Sequence, residues 1–250
     1  MDDLTGGAIA LAVFAFLFAG LVKGAVGLGF SSTCLPILVL AVGLDRAMPL
    51  VLVPSIASNL MVHVQAAAFR ETWVRFWPMF AAVIPGLCLG LYLLSQVNLD
   101  YAAALLGLVL VFYGAWTLGH IDAMLPEGLH NALRVPVGFC TGLVNGITGS
   151  QIMPVLPYLL GMPLARNVFL QTINTSFTLS SVIVAGGLWA IGFLTLQIGA
   201  LSVAAVAPMV AGVIAGTWLR NKMSTAVFRR SVLIVLIALG LLLIGRALVM

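Results

Sequence analysis

The chain has 250 residues, of which 62% are hydrophobic and only 7% charged. A soluble domain carries roughly a quarter charged residues, so a water-facing surface of this size is excluded and lipid must be the solvent for most of the chain. The net charge of +4 is too sparse and scattered for a nucleic-acid surface; its use is positional, since Lys and Arg mark cytoplasmic loops.

Apolar stretches run over 4–22, 28–42, 47–69, 74–95, 101–119, 132–148, 151–161, 166–188, 194–219 and 228–249. They are long and continuously apolar, whereas barrel strands would be about ten residues with strict alternation, so they predict helices. The first stretch follows Met1-Asp2-Asp3 with no basic segment or small-residue cleavage site, and reads as retained structure and not as a signal peptide.

Two stretches, 28–42 and 151–161, are too short for a comfortable span. Each follows a glycine-rich break, Gly24–Gly29 in one case and Gly146–Gly149 in the other. Each contains proline, at Pro36 and at Pro154 and Pro157. Non-helical backbone at membrane depth survives only where protein packs on it or it lines a cavity. Paired short segments of this kind point to a transporter's binding site.

The two parts of the chain correspond. Gly20-Leu21-Val22-Lys23-Gly24-Ala25-Val26-Gly27 reappears as Gly142-Leu143-Val144-Asn145-Gly146-Ile147-Thr148-Gly149. Pro54–Asn59 faces Gln171–Ser176, and Gly86 with Gly90 matches Gly212 with Gly216, both as GxxxG, which lets helix backbones approach closely. Arg70 and Arg75 flank one connection, and Arg220, Lys222, Arg229 and Arg230 another; both are expected in the cytoplasm. Ser95–Asp100 and the segment near Trp189–Thr195 have no Lys or Arg and are expected outside. Matching helices then run in opposite directions.

The expected fold is therefore an all-α polytopic membrane protein of two inverted repeats, 1–119 and 132–250, joined by a cytoplasmic linker over 120–131 that carries Asp122, Pro126 and Glu127. Each repeat is a broken or re-entrant helix hairpin plus three transmembrane helices, with both chain termini outside; the first stretch, 4–22, is also long enough to span by itself. Trp73, Trp77, Trp189 and Trp218 fall at expected span ends, as an aromatic belt requires.

Lys23 is the sharpest single residue, because an ionisable group at membrane depth is a functional hypothesis by default. At a helix break, beside exposed backbone N–H groups, it would attract an anion; the alternative is a lysine that reaches from a helix end to the headgroups. Polar side chains gather in the same neighbourhoods: Ser31, Ser32, Thr33, Ser55, Ser58 and Asn59 in the first repeat. The second repeat offers Asn145, Thr148, Ser150, Gln151, Gln171, Thr172, Asn174, Thr175 and Ser176. Hydroxyls and amides can replace an anion's hydration shell, or serve as glue between helices. His63 could relay a proton, or be an interfacial residue.

Asp45, Glu71, Asp100, Asp122 and Glu127 lie at or near expected span ends, which disfavours a carboxylate-driven proton pump. Cys34, Cys88 and Cys140 are far apart and show no metal-ligand spacing, so no metal or cofactor is expected. Gly24–Gly29 is neither a dinucleotide fingerprint nor a Walker loop, and no nucleophile or zinc-protease motif appears, so an enzyme is not expected.

On Gly20–Phe30 followed by Pro36, and Gly142–Gly149 followed by Pro154 and Pro157, the chain resembles the sulfite exporter TauE/SafE family, also called the four-toluene sulfonate uptake permease family. The resemblance covers essentially the whole chain and implies transport of sulfite, sulfoacetate, thiosulfate or other sulfur-containing or organic anions across a bacterial inner membrane. It implies substrate contacts at Lys23, Asn145 and the polar residues just beyond them. The full set expected to bind substrate is Lys23, Gly24, Gly27, Ser31, Ser32, Asn59, Asn145, Thr148, Ser150, Gln151, Gln171 and Asn174. The expected partners are a small anion and the lipid bilayer, with no nucleic acid. A passive anion channel or an uptake permease for another organic anion remain the alternatives, and the oligomeric state, a homodimer included, is left open.

Overall fold

The structure, a computed structural model, describes residues 6–119, 124–220, 222 and 225–249. The start of the expected first stretch and residues His120–Ala123 of the expected linker lie outside the described residues. Among the described residues the secondary structure is entirely helical. The helices are α1 (Gly6–Val26), α2 (Phe30–Val42), α3 (Leu44–Ala66), α4 (Phe69–Leu94), α5 (Leu99–Gly119), α6 (Glu127–Ala132), α7 (Arg134–Thr148), α8 (Val155–Leu160), α9 (Arg166–Ala190), α10 (Leu196–Ala204), α11 (Val206–Arg220) and α12 (Thr225–Val249). Seven spans are long and apolar enough to cross a bilayer: α1, α3, α4, α5, α9, α12, and α10 with α11 taken as one. The protein is an all-α, multi-pass membrane protein. Phe14, Val74, Leu108, Phe112, Ile214 and Leu241 lie exposed on its flanks, as lipid-facing residues do, together with Trp73, Trp77, Trp189 and Trp218.

The first break lies later than the glycine run suggests. α1 continues through Lys23 and Gly24 to Val26, and the chain turns at Gly27 and Gly29, whose φ values are +88° and +92°. Gly24 stays helical because it is needed elsewhere: a Cβ there would stand 2.2 Å from Val213 O on α11. α1 is 21 residues long, whereas the helix that aligns with it, α7, has 15. The two end alike. Gly27 N donates to Lys23 O and Gly149 N to Asn145 O, both at 2.7 Å, with Gly149 at φ +74°. A left-handed glycine closing the last turn satisfies carbonyls that a helix end leaves open.

Glycine also decides which helices meet. Gly20 and Gly24 of α1 lie against Gly212 and Gly216 of α11 so closely that an added Cβ would come within 2.1–2.3 Å of a backbone carbonyl oxygen in every case. α4 and α7 repeat this with Gly86 and Gly90 against Gly138, Gly142 and Gly146. In both crossings residue numbers rise together, so the helices are parallel. α5 packs on α12 with Gly107 beside Gly240 and Gly114 beside Ile237, which is antiparallel. α3 and α9 pack together at the centre and are also antiparallel, as their polar contacts below require.

Prolines inside these helices leave carbonyls without a donor. Pro54 does this to Leu50 O in α3, and Ser202 of α10 repairs it, donating its hydroxyl to Leu50 O at 2.9 Å while accepting from Val53 N at 3.2 Å. Ser202 is fully buried. Ser202→Ala should therefore lower stability by about 1–3 kcal/mol, the penalty for stranding buried backbone groups. It should appear as a drop in thermal midpoint of the detergent-solubilised protein. Ser231→Ala, which removes only an exposed hydroxyl bonded within its own helix, should leave the midpoint in place.

The described part of the expected linker is structured. Leu125 N donates to Gly161 O at 2.7 Å, the His130 ring bonds Leu125 O at 2.9 Å, and Tyr158 OH donates to His130 O at 2.5 Å, which ties α6 to α8.

Candidate functional site

The centre of the protein is where α3 and α9 cross beside the end of α1. Asn59 and His63 stand one turn apart on α3, with Ser55 a further turn away, so all three share a face. On α9 the sequence Gln171, Asn174, Thr178, Ser181 follows the same helical spacing. These two faces meet, and α1 delivers Lys23 between them.

Lys23 is only 3% exposed; Asn59 and Asn174 are 2% and 0% exposed. The ammonium donates to Asn59 Oδ1 at 2.7 Å and to Asn174 Oδ1 at 2.6 Å. Asn174 is held in turn by its Nδ2 donating to Leu170 O at 2.7 Å. No carboxylate faces Lys23 among the described residues. An ammonium removed from water is costly unless it is paired, and here its partners are two neutral amides. An ammonium has three donors, of which the two asparagines use two. The Asn59 Nδ2 group is buried with no partner. The arrangement is a cation with donors to spare and no counter-ion.

Towards one end of the α3–α9 crossing the polar contacts close up. His63 bonds the Gln171 side chain, whose Oε1 also accepts from Ala68 N at 3.4 Å, and Thr72 and Thr172 share a hydrogen bond at 3.3 Å. Towards the other end, Ser31 and Ser55 are bonded at 2.8 Å, and Gln151 Nε2 donates to Ser181 Oγ at 2.9 Å. Ser31, Ser55, Asn145, Gln151 and Ser181 line a cavity with the apolar side chains Leu35, Met48, Val51, Leu52 and Val184. Its volume is about 20 Å³, room for one water and no more. From Gln171 to Ser181 the polar face of α9 extends about 15 Å at the helical rise, roughly half the hydrocarbon thickness.

The sequence-predicted residues thus separate into groups. Lys23, Asn59 and Asn174 are joined directly, and His63 and Gln171 form a pair beside them. Ser31, Asn145 and Gln151 line the small cavity. Ser150 and Ser32 are buried; the Ser150 hydroxyl, Asn145 Nδ2 and Gln151 Oε1 have no partner. Thr148 is occupied locally: its hydroxyl donates to Val144 O at 2.7 Å and accepts from Ser150 N at 3.1 Å, finishing α7. Gly24 serves the contact with α11, and Gly27 serves the turn. Ser180 and Ser181 were not among the predicted residues, yet both are fully buried, and Ser180 Oγ has no partner. Continuing the helical spacing from Asn174 would have reached Ser181.

Comparison with known proteins adds one finding. No curated protein and no solved structure matches the chain significantly. The family model described as "Sulfite exporter TauE/SafE" matches residues 12–243, which takes in every residue of the site, from Lys23 to Ser181. On that match over nearly its whole length, the chain belongs to the sulfite exporter TauE/SafE family of membrane transporters.

Proposed function

We propose that the protein is a secondary carrier that exports small sulfur-containing anions, such as sulfite or organosulfonates (sulfoacetate), across a bacterial inner membrane. The observation that carries this reading is the buried Lys23 ammonium, gripped by an asparagine from each of two central helices and facing no acid. An anion that displaces water there gains a charge partner and unused donors in a low-dielectric setting. Hydroxyl and amide groups along α3, α7 and α9 supply the rest of its solvation.

The carrier works by alternating access between two inverted repeats, residues 1–119 and 132–250, with 120–131 joining them. Support comes from the helix pairing. Exchanging α1 with α7 and α4 with α11 turns one parallel glycine crossing into the other. α3 with α9 and α5 with α12 are counterparts that pair with each other, antiparallel, as a two-fold axis in the membrane plane requires. The substrate lies on that axis, and rocking one repeat against the other opens it to each side in turn. A cavity of about 20 Å³ is too small for an oxyanion and favours such a cycle over an open anion channel.

Flux of sulfite, sulfoacetate and sulfate into proteoliposomes tests this. Saturable uptake of sulfite or a sulfonate is expected. Conductance that rises without saturation would favour the channel, and no flux of any sulfur anion would remove the substrate assignment.

A further inference from the structure

We propose that the Lys23 site selects its substrate by charge, accepting monoanions such as hydrogensulfite and simple alkylsulfonates and rejecting dianions such as sulfate, fully ionised sulfite and carboxylated sulfonates. The proposal rests on the reading of the chain as a sulfur-anion carrier and narrows it to one ionic class, which keeps hydrogensulfite and simple sulfonates among the anions named above and excludes sulfoacetate.

Lys23 brings one positive charge into the α3–α9 crossing, and the side chains that touch it, Asn59 and Asn174, are neutral. The polar side chains of the neighbouring small cavity, Ser31, Ser55, Asn145, Gln151 and Ser181, are neutral as well. Among the described residues, His63 of α3 is the titratable side chain that faces Lys23, and it is engaged by Gln171. Cys34 is the titratable group of α2 and is enclosed in the core. The arginines of α9, α11 and α12 (Arg166, Arg220, Arg229, Arg230 and Arg246) stand towards helix ends.

A bound monoanion therefore leaves the site with no net charge, and the loaded site can close in a low-dielectric interior. A dianion leaves one buried negative charge without a cation. Amide and hydroxyl dipoles can solvate that charge but cannot cancel it, and an unpaired buried charge is among the most expensive things a protein interior can hold. The donors fit the same class. The ammonium has one N–H beyond those given to Asn59 and Asn174, and Asn59 Nδ2 is unpartnered. These suit two oxygens of a three-oxygen sulfur headgroup.

The test uses the purified full chain in proteoliposomes, with methanesulfonate, sulfate and sulfite compared from mildly acid to mildly alkaline pH. Methanesulfonate keeps one charge throughout, so it reports any effect of pH on the carrier itself. Sulfite changes from monoanion to dianion over the same range. Methanesulfonate should be carried at least about tenfold faster than sulfate, and the sulfite-to-methanesulfonate ratio should fall as pH rises. Asn59→Asp places a carboxylate against Lys23 with almost no change of shape and should reduce methanesulfonate flux by about tenfold or more. Asn174→Asp repeats the test from the other helix, should either protein fold poorly. Equal flux of sulfate and methanesulfonate, or an unchanged rate in both folded variants, would overturn charge selection and leave the carrier intact. Absence of flux for every sulfur anion would overturn both.

Discussion

Lys23→Met is expected to abolish saturable anion flux, by about a hundredfold or more on the scale of a lost charge-assisted contact, while the purified protein still folds. Met is unbranched, nearly as long, and fills the same channel between α3 and α9. The substitution leaves Asn59 Oδ1 and Asn174 Oδ1 without their donor, at about 1–3 kcal/mol for each stranded group. Against this, it removes a buried ammonium with no counter-ion, whose burial costs several kcal/mol. The two effects oppose each other, so the thermal midpoint should move little in either direction. Flux and midpoint measured on one preparation separate the roles. A lysine that only braces the helices would show a fallen midpoint with flux retained in the folded fraction, and that result would sink the functional assignment of Lys23.

Gly142→Leu should have the opposite signature, a protein that does not accumulate in folded form. A Cβ at Gly142 would lie 2.2 Å from Val83 O and 2.8 Å from Leu87 N, both backbone atoms of α4. Neither can rotate away as a side chain would, so the helices must separate along the whole crossing. Overpacking of this kind costs about 1–3 kcal/mol where neighbours can yield, and more where they cannot. Without a hydrophobic drive between helices in lipid, close backbone packing is much of what holds them together. Gly186→Leu is the control: it is exposed on α9, a Cβ there meets nothing within 4 Å, and helix propensity predicts a small gain. The comparison is monodisperse yield and thermal midpoint after detergent extraction. Equal behaviour of the two variants would show that the glycine crossings are not what binds α4 to α7.

Much of this architecture was legible in the chain itself because lipid imposes strong rules. Charge scarcity excludes a soluble domain, and long apolar stretches become helices whose ends need adjust by only a few residues, as 47–69 becomes Leu44–Ala66. Lys23 stood out because charge at membrane depth is rare. Other features depended on distant partners, which one sequence does not display. Gly24 carries two legible meanings, helix breaker and packing surface, and only the presence of Val213 opposite it decides for packing. Ser202 looks like any serine in an apolar helix until Pro54 is found to have stripped Leu50 of its donor. The bond between Thr72 and Thr172 joins positions that nothing local relates.

The two parallel glycine crossings also bear on how the chain is made. α1 and α4 enter the bilayer early, but the helices they touch backbone to backbone, α11 and α7, are synthesised later, α11 close to the end of the chain. Gly20 and Gly24 therefore face lipid, or a provisional neighbour, until α11 arrives. Lys23 waits in the same interval, because Asn174 on α9 has not yet been synthesised. Contacts between remote parts of a chain form slowly. Biogenesis thus passes through an intermediate in which an ammonium and two bare glycine faces lie open within the membrane, a state that an insertase or membrane chaperone is suited to shelter.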